Sequence, residues 1–248
     1  MIKLKNKKEI ALMREGGSKL ASITKRIKKE AKPGVATKEL ESLARELIDK
    51  KGGKPSFLGY KGFPAAICTS INKTVVHGVP SKRKLKDGDL LSIDLGFEWK
   101  GYHTDMATTF SIGDVDEKVN KLLNVTKKSL DLAIEISREG NRLGDVGNAI
   151  ETYIQNNGFV VVEGLCGHGI GKEVHQDPQV FNSGTPGKGM DLKNGFVFCI
   201  EPMVTTEDGK ISQTTEGIKT KNISAHFEHT IAIIDGKPEI LTALDTLS

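Results

Sequence analysis

Asp94 and Asp105 flank a polar turn in the segment from Leu90 to Asp105, LLSIDLGFEWKGYHTD. Leu91, Ile93, Leu95 and Phe97 alternate with Ser92, Asp94 and Gly96. That is the period of two of a half-buried strand, and it sends Asp94 to the less apolar face. Residues 98–101 read as a turn and residues 102–110 as the returning strand. With a loop of two residues (99 and 100) or four (98–101), Asp94 lies directly across from Asp105, their Cβ atoms roughly 5 Å apart. A three-residue loop bulged at Gly101 shifts the register by one and undoes that pairing. Facing carboxylates repel unless a shared proton or bound cations intervene, and on the hairpin alone a pair of solvated acids is the simpler reading.

Two further acids change the balance. Glu201 falls in a predicted strand over 196–204 with Val197, Cys199 and Met203 on its side, and Glu228 in one over 225–234 beside His226 and Thr230. A carboxylate among apolar strand residues is costly to bury unless it is paired or coordinated. His168 stands in a Gly-rich loop, GLCGHGIGKEVHQDP. Four carboxylates carry a charge that two divalent cations would balance, and with a single imidazole the set suits Mn²⁺, Fe²⁺, Co²⁺ or Zn²⁺. Paired ions hold a bridging water, lower its pKa and polarise a carbonyl, which is hydrolysis without a covalent enzyme intermediate. A phosphate-loop reading of the same glycines fails, because Glu173 stands where Ser or Thr must bind magnesium. Of the histidines at 77, 103, 168, 175, 226 and 229, those in Gly-rich or strand-edge contexts, His77, His168 and His175, are the candidates for chemistry.

The 248 residues, 37% hydrophobic and 27% charged, exclude disordered and collagen-like classes and suffice for a sizeable core. No apolar run approaches the ~18 residues of a membrane span, and the start, MIKLKNKKEIALMREGG, is charged where a signal peptide is greasy. The expectation is a soluble cytoplasmic protein without membrane contact. Cys68, Cys166 and Cys199 form no C-x-x-C pair, which argues for reduced thiols. Net charge is +4, yet residues 1–51 hold 15 Lys or Arg against 7 Asp or Glu. Such a basic face is usually the solvated side of helices, and it is also a surface that RNA would find.

Helices are predicted over 7–31, with Leu12, Gly16, Leu20, Ile23 and Ile27 on one stripe, and from an N-cap at Thr37 to Gly52. A loop at 55–64 carries Phe57, Tyr60 and Phe63 at three-residue spacing, suited to core packing or to an apolar side-chain pocket. Strands follow over 65–72 and 74–78, then the hairpin, helices over 115–138 and 143–156, a strand over 159–165 and a final antiparallel set. Both halves run through strands, helices and an acid-bearing hairpin. The expected architecture is one α/β (α+β) domain, residues 1–248, with helices over a curved, mostly antiparallel sheet in pseudo-twofold halves.

Seven segments in order, VVHGVP around His77, SIDLG at Asp94, HTDMA at Asp105, CGHGIG at His168, HQDPQV at His175, CIEPMV at Glu201 and HFEHT at Glu228, resemble type I methionine aminopeptidases. The resemblance implies the pita-bread fold and a two-metal site, with Co, Mn, Fe or Zn as the ions. Asp94 would chelate one ion, His168 and Glu201 the other, and Asp105 and Glu228 both. It implies removal of the initiator methionine from nascent chains whose second residue is small. Glu201 would move the proton, His175 would steady the oxyanion, and His77 would meet the scissile nitrogen. The methionine pocket maps to Phe57, Tyr60, Phe63 and Cys68. It further implies a monomer with a transient ribosome contact through the basic N-terminal face, and the chain is expected to depart from eukaryotic members in lacking their N-terminal extension with zinc-binding cysteines. The chain departs from many bacterial members at Val174, where Phe is common, and in a short 214–222 segment without Trp. Two rival readings are an X-Pro metallopeptidase, usually larger at its N-terminus, and a non-enzymatic binder on the same fold, in which ligand residues would be expected to be lost.

Overall fold

Lys100 and Gly101 set the geometry of the central hairpin. Both have positive φ (50° and 81°), the condition for a two-residue turn whose twist matches its strands. The turn joins strand β4 (Leu90–Trp99) to β5 (Tyr102–Ser111), and the register runs from Trp99↔Tyr102 through Gly96↔Asp105 and Asp94↔Ala107. The expected direct pairing of Asp94 with Asp105 is therefore corrected: the loop is 100–101, and the two acids are diagonal neighbours on one face. Nor is β4 half-buried, since Leu90 to Phe97 are buried on both faces.

The computed structural model describes residues 3–243, so both extremities of the expected 1–248 domain lie outside the described residues. Helices α1 (Lys7–Glu30) and α2 (Thr37–Lys50) come first, then short β1 (Lys54–Pro55), β2 (Cys68–Ile71) and β3 (Thr74–Val76) before the hairpin. After it follow α3 (Glu117–Ile136), α4 (Leu143–Asn156), β6 (Val160–Val161), β7 (Cys166–Gly169), β8 (Gln176–Phe181), β9 (Val197–Ile200) and β10 (Met203–Thr205). The chain continues through β11 (Ile211–Thr214), β12 (Gly217–Thr220), β13 (Ser224–His226), β14 (Glu228–Ile234) and β15 (Lys237–Ile240). The main sheet has nine strands in the order β1-β4-β5-β14-β9-β7-β8, with β2 also on β4 and β15 also on β14. Its pairs are antiparallel. Outward from the central β5–β14 contact the order is β4 then β2 on one side, and β9 then β7 on the other. This is the pseudo-twofold that element order suggested.

Each half has its own helix pair. Leu20, Ile23 and Ile27 of α1 and Leu40, Ala44 and Ile48 of α2 pack on Leu91, Ile93, Leu95 and Phe97 of β4. Leu122, Leu130, Val146 and Ile150 of α3 and α4 pack on Phe198, Ile200, Ile231 and Ile233. Asn6 caps α1 by accepting from the Lys8 and Glu9 amides, while the Glu9 carboxylate accepts from Asn6 N–H at 2.8 Å, a reciprocal cap. Gly16 and Gly17 cost helix propensity but permit close approach: a Cβ on Gly17 would lie 2.1 Å from the Leu241 carbonyl oxygen. Ile10 and Met13, rather than Leu12, are the buried residues of the first turns. The N-cap of α2 is Ala36, whose N–H meets Glu39, and the Thr37 hydroxyl instead bonds Ser81. Among the described residues no helix is long and apolar enough to cross a membrane.

Candidate metal centre and its cleft

Ala107 is the pivot of the acid cluster. It pairs with Asp94 on β4 and with Glu228 on β14, so three neighbouring strands present Asp94, Ala107 and Glu228 in a row on one face. Asp105, two residues before Ala107 on β5, joins them diagonally. Because position 107 holds only a methyl group, carboxylates can close over it from both sides. Oxygens of Asp94, Asp105 and Glu228 lie within 4.8 Å of one another. The Asp105 backbone is held there by the Thr230 hydroxyl, which accepts from Asp105 N–H and donates to Asp105 C=O, both at 2.9 Å.

Glu201 reaches the cluster from the other half. The expected continuous strand over 196–204 is broken into β9 and β10, with Glu201 and Pro202 at the break. Glu201 thus lies one residue beyond the Ile200↔His229 pair rather than inside a strand. Asn182 fixes its backbone by donating to the Glu201 carbonyl at 2.9 Å. His168 is not on a loop either: it sits on β7, paired with Gln179. Its Nδ1 lies 3.0 Å from the Gly169 carbonyl oxygen. A carbonyl only accepts, so in the neutral ring the proton is on Nδ1 and Nε2 carries a lone pair. That lone pair points at acids: Glu201 Oε1 is 3.7 Å away, Asp105 Oδ2 3.9 Å and Glu228 Oε1 4.0 Å.

A lone pair facing three carboxylates is repulsive without a cation or protons between them. Asp94, Asp105, Glu201 and Glu228 are each no more than 9% exposed, and Asp94 Oδ1 and Glu228 Oε1 have no hydrogen-bond partner. Burial first, and neighbouring acids second, hold the Asp94 and Glu228 carboxyls well above the usual carboxylate range. Burial likewise lifts Asp105 and Glu201 to about 7. Orphaned oxygens, an imidazole lone pair and disfavoured negative charge all fit divalent cations, and the donor set is oxygen-rich with one nitrogen. Cys199 is close to His168 and Glu228, but burial pushes its thiol up and its Sγ lies 3.4 Å from the Thr230 hydroxyl, so it is a poor anionic ligand.

The cluster floors a cleft of about 1010 Å³. His175 stands on its wall, its ring 4.2 Å from that of His168 and stacked on Tyr60 at 5.1 Å. Withdrawal from water, then His168, lowers its pKa to about 3, so the ring is neutral. His77 lines the same cleft from the turn after β3, with φ of 58°. Phe57, Cys68 and Val174 form a buried apolar cluster with Tyr60 and Phe63 packed against it, which brings together every residue expected for the side-chain pocket. Val174, noted in the sequence only as a departure, packs behind these residues in the same cluster and is not part of the cleft lining. The cleft lining also has a polar part, Gln213, Thr214 and Thr215 of the β11–β12 hairpin. Sequence reasoning missed one contributor, Ala107, and saw another, His226, only as a neighbour of Glu228. The alternation that singled out Glu228 contains His226 two residues earlier, and that signal could have found its role.

The model of metallopeptidase family M24 matches residues 11–235. The chain belongs to that family of metal-dependent peptidases. It is 45% identical to a methionine aminopeptidase of Clostridium perfringens over 98% of this chain and 100% of that protein. Identity to methionine aminopeptidase 1 of Bacillus subtilis is 44%, over 98% and 99% of the two chains. The crystal structure of methionine aminopeptidase from Thermotoga maritima matches with a TM-score of 0.95 at 40% identity, covering 98% of this chain and 99% of that one. Within family M24, then, the chain belongs to the methionine aminopeptidases, and its architecture is the pita-bread fold expected from the motifs. A prolidase from Pyrococcus furiosus, with a TM-score of 0.78 at 22% identity and 66% of its length covered, shares the fold alone.

Proposed function

We propose that this enzyme removes the initiator methionine from nascent polypeptides whose second residue is small, using two divalent ions held by Asp94, Asp105, His168, Glu201 and Glu228. The observation that carries this reading is the convergence of four buried acids and one imidazole lone pair on the floor of a cleft whose wall holds an apolar pocket. Asp94 would hold one ion, His168 and Glu201 the other, and Asp105 and Glu228 would serve both. Bound there, the ions supply a water of lowered pKa and a Lewis acid at the peptide carbonyl, and Co, Mn, Fe or Zn fits the donors.

The chain's own groups do the rest. Phe57, Tyr60, Phe63 and Cys68, backed by Val174, take the methionine side chain, whose burial is worth about 1.5–3 kcal/mol. Glu201 takes a proton from the attacking water and returns it to the leaving amine. Neutral His175 donates to the developing oxyanion, and His77 meets the scissile nitrogen. The reading includes one catalytic domain, a cytoplasmic monomer and a transient ribosome contact through the basic N-terminal face. The test is hydrolysis of Met-Ala-Ser and of an X-Pro peptide by metal-loaded protein. Cleavage of the first, lost on exhaustive chelation, is expected. Cleavage of the X-Pro peptide alone, or of neither, overturns the proposal.

A further inference from the structure

His226 is the most deeply buried imidazole near the acids, 1% exposed, and neither ring nitrogen makes a directed hydrogen bond. It ends β13 and stands two residues before Glu228. Its backbone is clamped from β5: His226 N–H donates to Thr109 Oγ1 at 2.8 Å, and the Thr109 hydroxyl donates to His226 C=O at 2.7 Å. That uses the single hydroxyl proton of Thr109, so the Ser92 hydroxyl, 2.7 Å away, is the donor to it. A polar chain inside the sheet therefore fixes where the ring stands.

The ring faces what His168 does not. His168 Nε2 lies nearest the Oε1 atoms of Glu201 and Glu228, at 3.7 and 4.0 Å. His226 Nε2 lies nearest their Oε2 atoms, at 3.2 and 4.0 Å. The Glu201 carboxylate is thus bracketed by two imidazoles, one on each oxygen. His226 is also outside the lining of the cleft, which includes Glu201, Glu228 and His168, so it approaches Glu201 from behind.

We infer that His226 is a positioning residue for the metal centre: its Nε2–H is directed to Glu201 Oε2 and leaves Oε1 as the oxygen that faces the ion. The inference rests on the proposed two-ion reading. At 3.2 Å the atoms are already within hydrogen-bond reach, and turning the ring directs the proton. A ligating carboxylate whose second oxygen is held keeps its angle and its distance to substrate, which is how outer partners raise metal affinity. His226 does not touch substrate, and it acts through Glu201.

The experiment is titration calorimetry of metal-free protein with Mn²⁺, comparing wild type with H226A, H226N and H226Q. Glutamine carries an N–H about as far from the backbone as Nε2, whereas the asparagine amide stops near Nδ1. Expected are ~10–100-fold weaker binding in H226A and H226N and recovery to within ~3-fold in H226Q. With saturating metal, kcat on Met-Ala-Ser should fall in H226A with KM unchanged. Binding by H226A or H226N within twofold of wild type overturns the inference, and so does an H226Q as weak as H226A, which would make the ring a direct ligand. Should H226A fail to fold, H226N against H226Q decides it, because both keep a polar side chain in the same space. Failure of wild type to bind Mn²⁺ would instead overturn the two-ion reading itself.

Discussion

Removing metal from this site should make the protein less stable as pH rises from 6.5 to 8. Asp94 and Glu228 have pKa values well above the carboxylate range, and Asp105 and Glu201 lie at about 7. In the unfolded chain the same groups ionise near 4, so between those limits the folded state binds more protons. Stability contributed by a raised pKa is present below the unfolded value and is lost as pH climbs through the folded one. Each carboxyl that stays protonated costs about 1.4 kcal/mol per pH unit relative to its ionised unfolded counterpart. Over 1.5 units that is about 2 kcal/mol for one group and about 4 kcal/mol for two, a fall in Tm of roughly 4–16 °C in a chain of this size.

The window matters because other buried groups run the other way. His175 at about 3, His226 and His229 at about 4, and His77 and His103, also lowered by burial, favour folding more strongly as pH rises toward 6.5, where the unfolded imidazoles lose their protons. Lys5, lowered to about 8 by burial, adds stability above that pH. Between the two these contributions offset part of the carboxylate fall, since unfolded imidazoles are still about half protonated at pH 6.5 and Lys5 begins to titrate near 8. The larger carboxylate contribution sets the sign. The assay is a thermal melt of chelated protein at pH 6.5, 7.25 and 8, beside the same protein saturated with Mn²⁺. Loaded protein should not show the fall, because cations take the place of the protons and binding releases them. A metal-free Tm that stays level or rises across the window would refute the claim that these acids are held protonated by burial and mutual repulsion.

Three other perturbations test separate parts of the argument. His175→Ala should lower kcat by ~10²–10³-fold while changing Mn²⁺ affinity less than ~3-fold, since the ring faces the cleft beside His168; loss of metal would make it a ligand. Ala107→Val would push two methyl groups between Asp94 and Glu228, and calorimetry should find Mn²⁺ binding at least ~10-fold weaker in a protein with unchanged circular dichroism. Gly17→Ala places a carbon against the Leu241 carbonyl and should cost about 1–3 kcal/mol, read as a Tm lower by roughly 2–12 °C at unaltered kcat.

The extent to which the chain disclosed itself beforehand follows from the range of each interaction. Helices α1 to α4 were legible within a few residues because the 3.6-residue periodicity that announces them is local, whereas the N-cap of α2 fell one residue earlier than the expected Thr37. The alternation in β4 likewise gave the face of Asp94, since that needs only neighbours in sequence. The register did not follow, because it depends on which residues of EWKG take positive φ. Trp99 and Glu98 complete the strand, and Lys100 with Gly101 make the turn. The same limit explains β8, β12 and β15, which no apolar alternation announced. QDPQVF and KPEI are short, partly exposed edge pieces that pair with β7 and β14, and GIKT is a four-residue central strand between β11 and β3, so in each the pairing supplies what the side chains do not announce.

The assembly of the site was the least local fact of all, and the structure shows why motifs nonetheless marked it. Asp94, Asp105 and Glu228 meet only because β5 lies between β4 and β14, a contact that joins segments more than 100 residues apart at the pseudo-twofold. Nothing in the alternation of either hairpin states that contact. What each segment does state is an acid on a strand, and an acid buried there is tolerable only if distant chain supplies a partner. Ala107 went unnoticed, and His226 was seen only as a neighbour of Glu228, for the opposite reason. A small apolar residue and a buried ring in a strand are unremarkable where they stand, and each gains its role from a neighbour across the sheet: Ala107 by leaving space beneath two carboxylates, His226 by lying 3.2 Å behind the one that must stay aimed.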